Sequence, residues 1–171
     1  MPSTYTPIAT QTLGSAASSV TFSSISGSYT DLVLVMSVQD NSSGTNFSNV
    51  QVQFNNDTGT NYSWTELYGN GSSALSQRAS NYAGCWAGYM SSVSGVFSPI
   101  IFNVMNYSNT TTFKTTLSRA NLGAQSPNTT TVTEAVVSTW RSTSAITTLK
   151  VNGAISFIAG STFTLYGVKS A

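Results

Sequence analysis

The sequence predicts an all-β fold: an antiparallel β-sandwich, jelly-roll-like, with an extended N-terminal arm. Apolar and polar residues alternate with period 2 in one segment after another, the pattern of half-buried strands. Between those segments stand clusters of Asn, Asp, Ser, Thr and Gly, the residues that close tight turns. No stretch has the 3.6-residue apolar spacing, the helix-forming composition or the capping pattern of a good helix. A chain of 171 residues fits one domain, and at that size it buries roughly 70% of its unfolded surface, enough for a core without disulfide or metal.

Residues 1–18 contain Pro2 and Pro7 among Ser, Thr and Ala, with no sustained period. They are expected as an arm, and residues 19–171 as the sandwich domain. From Ser19 the alternation begins, with Val20 and Phe22 on one face. Ser26-Gly27-Ser28 turns the chain into Leu32-Val-Leu-Val-Met-Ser-Val38, a continuous apolar strand expected to be buried on both faces. Asp40–Asn46 is a polar loop. Val50, Val52 and Phe54 alternate inward, "NNDTG" turns, and Tyr62 with Trp64 opens a return strand, so a hairpin is expected there. Residues 72–95 have the least pattern and are expected as one strand with long flanking loops. Further strands are expected over Val96–Tyr107, Phe113–Asn121, Thr131–Arg141, Ile146–Val151, Ala154–Ile158 and Thr162–Lys169, with polar turns at Asn106–Thr112 and Leu122–Thr130. "GSYTDLVLV" (Gly27–Val35) and "GSTFTLYGV" (Gly160–Val168) read alike, and pairing of that early strand with the last one would close the sheet. The total is eight to ten strands. No fixed-period repeat points to a solenoid or propeller.

Charge is the anomaly. Only 6% of residues are Asp, Glu, Lys or Arg, against roughly 25% in an ordinary domain. Arg78, Lys114, Arg119, Arg141, Lys150 and Lys169 are scattered and the net charge is +1, so phosphate-driven nucleic-acid binding has little support. The N-terminus shows neither the basic start nor the apolar run of a signal peptide. The longest apolar run, Leu32–Met36, is far short of the ~20 residues of a membrane helix. Near-neutral chains associate more readily than they repel.

Catalytic chemistry has few carriers. There is no histidine, which removes the commonest general base and metal ligand together. Cys85, alone, has no partner for a disulfide and no histidine to activate it, and reads as a buried structural thiol. Zinc has no ligand set. Two carboxylates suffice for glycoside hydrolysis, and the supply is Asp31, Asp40, Asp57, Glu66 and Glu134. Asp40 and Asp57 read as turn caps. "DNSSGTN" and "NNDTGTN" each offer a single carboxylate and read as turns rather than calcium loops. Tyr62, Trp64, Tyr68, Tyr82, Trp86, Tyr89 and Trp140 could stack a sugar, but serve equally as core and strand-pairing residues. No catalytic, cofactor-binding or metal residue is assigned, and an enzyme is not expected.

The stretches "SSVTFSSISGSYTDLVLVMSV" (Ser18–Val38), "VQFNNDTGTNYSWTELYGNGSSA" (Val52–Ala74), "NYSNTTTFKTTLSRAN" (Asn106–Asn121), "WRSTSAITTLKV" (Trp140–Val151) and "FIAGSTFTLYGVKSA" (Phe157–Ala171) resemble a β-rich module of structural proteins of tailed bacteriophages. The resemblance runs from about Ile8 to the end and is weakest over residues 75–98. It implies a virion structural protein: a head decoration or cement protein that binds and stabilises the capsid as a homo-oligomer, with a homotrimer and the major capsid protein or another virion protein as partners. It implies localisation to the virion and no cofactor, nucleic acid or membrane. The alternative within the same resemblance is a tail-fibre or baseplate component binding a host surface glycan or receptor.

Overall fold

The computed structural model describes residues 4–42, 47–125 and 130–169. Among them are twelve strands and no helix: β1 (Tyr5–Thr12), β2 (Ala17–Phe22), β3 (Asp31–Val38), β4 (Phe47–Phe54), β5 (Tyr62–Gly69), β6 (Ala74–Tyr82), β7 (Cys85–Ser91), β8 (Ser98–Val104), β9 (Lys114–Gln125), β10 (Thr130–Trp140), β11 (Leu149–Phe157) and β12 (Thr162–Val168). They form an eight-stranded sheet, in the order β1-β12-β3-β8-β9-β10-β5-β6, and a four-stranded sheet, β2-β11-β4-β7. Every strand pairing within the two sheets is antiparallel.

Set aside β5, β6, β9 and β10, and the remaining strands switch sheet at every step in chain order except from β4 to β7, which lie side by side, giving β1-β12-β3-β8 opposite β2-β11-β4-β7. That is the path of an eight-stranded jelly roll. The hairpins β5-β6 and β9-β10 are inserted into it, and both extend the same edge of the larger sheet.

The side-chain pattern explains why the two sheets face each other. On β3, Leu32, Leu34, Met36 and Val38 point inward, and they meet Phe163 and Leu165 of β12 and Ile100, Phe102 and Val104 of β8 in register. Val20, Phe22, Val50, Val52, Phe54, Leu149, Val151 and Phe157 close the core from the smaller sheet. Each large apolar side chain buried in this way contributes about 1.5–3 kcal/mol relative to exposure.

Several expectations are corrected. Of the stretch expected as an arm, Tyr5–Thr12 is hydrogen-bonded along β12 as an edge strand, Ile8, Ala9 and Leu13 pack against the core, and Ala17–Ser18 open β2 after a bend at Gly14–Ser15. The strand Leu32–Val38 is only partly buried on its outer face, where Val33 is enclosed but Val35 is 40% exposed. Val50–Trp64 is not a hairpin: β4 pairs with β11 and β7, whereas β5 pairs with β10 and β6. Asn55 and Asn56 both have φ near +55° (52° and 59°), a conformation Asn tolerates. The Asn55 side chain then accepts from Thr147 N and Thr148 N and donates to Ala145 O. The turn is thereby tied to the segment entering β11, and the chain crosses between sheets. Residues 72–95 hold two strands, β6 and β7, and Ile146–Ile158 holds one, β11, with a register break between Asn152 and Phe157. β9 runs on to Gln125 and β10 begins at Thr130, and residues 126–129 of the expected turn at Leu122–Thr130 lie outside the described residues, as do 43–46 of the expected loop. The early and last strands do pair, with Leu34 opposite Leu165.

Candidate functional site

The inner face of the large sheet changes character along its width. One row in register reads Leu165, Leu34, Phe102, Ser118, Val136, Glu66, Gln77 from β12 to β6. It is aliphatic and aromatic under the jelly-roll strands and polar under the inserted hairpins. The cause lies in β7, the last strand of the smaller sheet, which pairs with β4 on one side only. Its other backbone edge needs partners. Ser118 Oγ donates to Ala87 O at 2.6 Å, Ser138 Oγ to Trp86 O at 3.4 Å, and Glu134 Oε2 accepts from Tyr89 N at 2.9 Å. Side chains of β9 and β10 therefore stand where a neighbouring strand would.

This arrangement brings together two of the five carboxylates read from the sequence. Glu66 and Glu134 lie on adjacent strands β5 and β10, in neighbouring rows of the inner face, and are 0% and 3% exposed. Gln77 Nε2 donates to Glu66 Oε2 at 2.5 Å and to Tyr89 Oη at 3.1 Å, bridging the two sheets at their open edge. Burial pushes the Glu134 carboxyl up to about 8, and the nearby Glu66 carboxylate adds to this, while the bond from Tyr89 N opposes it. Burial also raises Glu66, against the hydrogen bond from Gln77 and the nearby indole N–H of Trp86. Burial carries the Tyr89 hydroxyl to about 12. At neutral pH the pair is thus held partly protonated, as like charges in a desolvated site require. The cleft beside it, about 210 Å³, is walled by Phe47, Tyr68, Leu75, Tyr89, Leu122 and Val132, and neither glutamate lines it.

The other acids are placed separately. Asp31 Oδ1 accepts from Asn106 N, and Asp40 Oδ1 caps Ser42 through its N–H and hydroxyl. Asp57 caps Gly59 N and Asn61 and takes a 2.7 Å bond from Trp140 Nε1. Burial raises the Asp57 carboxyl, but the bonds from Trp140, Asn61 and Gly59 outweigh it and hold the group below its ordinary value. Cys85 is fully enclosed, and burial pushes its thiol up to about 12. Trp140→Phe is expected to cost about 1.5–3 kcal/mol, the scale of a lost bond to a charged group, read as a lower urea midpoint.

The indoles serve as core residues. Tyr62, Trp64, Trp86 and Trp140 are buried, while Tyr68, Tyr82 and Tyr89 are half-buried. Trp64 and Trp86 stack at 4.8 Å between β5 and β7, with Val136, as a second small core. The indoles therefore offer no exposed platform. The sequence did not single out the opposite side of the sheet, where Val35, Ile101, Leu117, Val137 and Leu67 project from five adjacent strands. Strand alternation places these residues on one face, but only Val35 is assigned a burial, as part of a strand expected to be buried on both faces.

The molecule is, by fold, an antiparallel jelly-roll sandwich with a sealed polar cluster and an open apolar sheet face. No family model matches the chain, and neither a curated protein nor a solved structure is found to be similar to it.

Proposed function

We propose that this chain is a structural protein of a tailed-bacteriophage virion, a head decoration or cement protein that binds the assembled capsid as a homo-oligomer. The observation that carries the reading is the contrast between its two polar-apolar surfaces. The paired carboxylates Glu66 and Glu134 are enclosed between sheets, while the outer face of the large sheet exposes Val35, Ile101, Leu117, Val137 and Leu67 in a chain with few charges. The resemblance of the strand-and-turn stretches to phage structural modules supplies the setting. Binding only the assembled shell stabilises it by mass action, and several linked copies add avidity. The strand β1, paired on one side alone, is the segment through which copies would exchange.

The test is copy number and salt resistance. The chain is expected at hundreds of copies per purified particle on a calibrated gel, and retained through a wash in molar NaCl, because attachment with few ion pairs is little screened. A few tens of copies or fewer would assign it to the tail instead. Release by salt would overturn apolar attachment.

A further inference from the structure

We infer that the outer face of the eight-stranded sheet docks a different protein rather than a second copy of this chain, with Arg119 seated on a carboxylate of that partner. The inference rests on the virion reading, which makes the partner a capsid shell protein. One row in register crosses the whole face: Thr10, Thr164, Val35, Ile101, Arg119, Ala135, Leu67, Ser76. The next reads Pro7, Tyr166, Val33, Asn103, Leu117, Val137, Thr65, Arg78. Leu67 is 62% exposed, Val137 53% and Ile101 46%. Eight strands at ~4.8 Å spacing, over about six residues of length at ~3.3 Å each, give a face on the order of 750 Å². That is about the area each partner contributes to a standard stable interface, and its exposed aliphatic residues lie on the five adjacent strands from β3 to β5. Beside Arg119 the small residues Gly69, Ala74 and Ala135 leave a groove of about 490 Å³, flanked by Leu67 and Leu75.

Charge decides what covers it. Arg119 and Arg78 are exposed, and among the described residues neither guanidinium has an ion pair or a side-chain hydrogen bond. Three of the other four cations are engaged: Arg141 donates to Thr60 O and Asn81, Lys114 to Thr112 O and Thr143 O, and Lys169 lies over the Tyr29 ring, while Lys150 lies on β11 of the smaller sheet, away from this face. A second copy laid face to face would bring four such arginines together. Its five side-chain carboxylates cannot answer them. Asp40, Glu66 and Glu134 are buried, Asp57 is held by Trp140 and Asn61, and Asp31 by Asn106. Burying guanidinium without a counter-charge is strongly unfavourable. A partner surface that is flat, apolar and carries a carboxylate removes that cost, and the planar fork of arginine binds it through two parallel bonds.

The experiment uses particles of the phage that encodes this chain, produced without it, and purified full-length protein with Arg119→Glu, Arg119→Lys and Leu67→Asp variants. Arg119→Glu is expected to weaken particle binding by about thirtyfold or more, the loss typical of breaking a desolvated charge pair. Arg119→Lys should weaken it less, and Leu67→Asp should match the reversal. Melting temperature and sedimentation mass should stay at the wild-type values. Wild-type binding by both Arg119→Glu and Leu67→Asp overturns the docking face while leaving the virion reading intact. A lower sedimentation mass in either variant makes the face a contact between copies and overturns the inference. Absence of the chain from purified wild-type particles overturns the virion reading and, with it, the shell as partner.

Discussion

Raising the pH from about 4.5 to about 8 is expected to lower the melting temperature by roughly 10 °C. Glu134 carries most of this. Its carboxyl titrates near 4.5 in an unfolded chain and about 8 in the fold, so the folded state holds the proton more tightly. A group with a raised folded value contributes stability that is complete below its unfolded value and is lost as pH rises through the folded one. A shift of that size corresponds to a swing on the order of 4 kcal/mol, and each kcal/mol moves the midpoint of a domain this large by about 2–4 °C. Glu66 shifts in the same direction. The groups the pair faces are Tyr89, Gln77, Trp86 and Ala120, and none brings a positive charge. Asp57 works in the opposite sense: its value is lowered, so its contribution is present above the unfolded value and lost in stronger acid. The stability optimum therefore lies in mild acid. Glu134→Gln keeps an oxygen for Tyr89 N and should flatten the decline. A melting temperature that stays level or climbs between these pH values would sink the assignment.

Gly88→Ala is expected to remove about 3 kcal/mol or more. Gly88 sits at φ +131° beside a register break in which Ala87 is the extra residue of β7. A Cβ there would lie 2.3 Å from Ala120 Cβ and 2.6 Å from Glu134 Oε2. Neither neighbour is the end of a flexible chain with room to retreat, since Ala120 and Glu134 are 5% and 3% exposed. Overpacking of this kind adds about 1–3 kcal/mol to the backbone strain. Gly95→Ala is the control, with φ +78° and no atom within 4 Å of the new methyl, and should cost about 1 kcal/mol. Equal urea midpoints for the two variants would refute the close approach of β7 to β9.

The strands were legible because period 2 is a local signal. Val20 with Phe22, Val50 with Val52 and Phe54, and the pairing of Gly27–Val35 with the last strand all stand in the structure. Sheet membership was not legible. "NNDTG" announces a reversal in either case, and what sends the chain across to the other sheet is the bonding of Asn55 to residues 145–148, some ninety positions away. β6 was obscure because it is an edge strand whose residues are nearly all exposed, and β7 because its Ala and Gly residues are selected by close packing rather than by alternation. The meeting of Glu66 and Glu134 depends on the pairing of β5 with β10, which no local pattern announces. Their separation by 68 positions gave no reason to couple them.

The inserted strands enclose their own small aromatic cluster, apart from the main core, and this divides the molecule into regions of unequal cooperativity. Backbone amides of β5 and β6 should exchange with deuterium well before those of β3, β8 and β12, through local opening that leaves the jelly roll closed. The stacked indoles of Trp64 and Trp86 sit at that boundary and would report the opening as a change in fluorescence ahead of global melting.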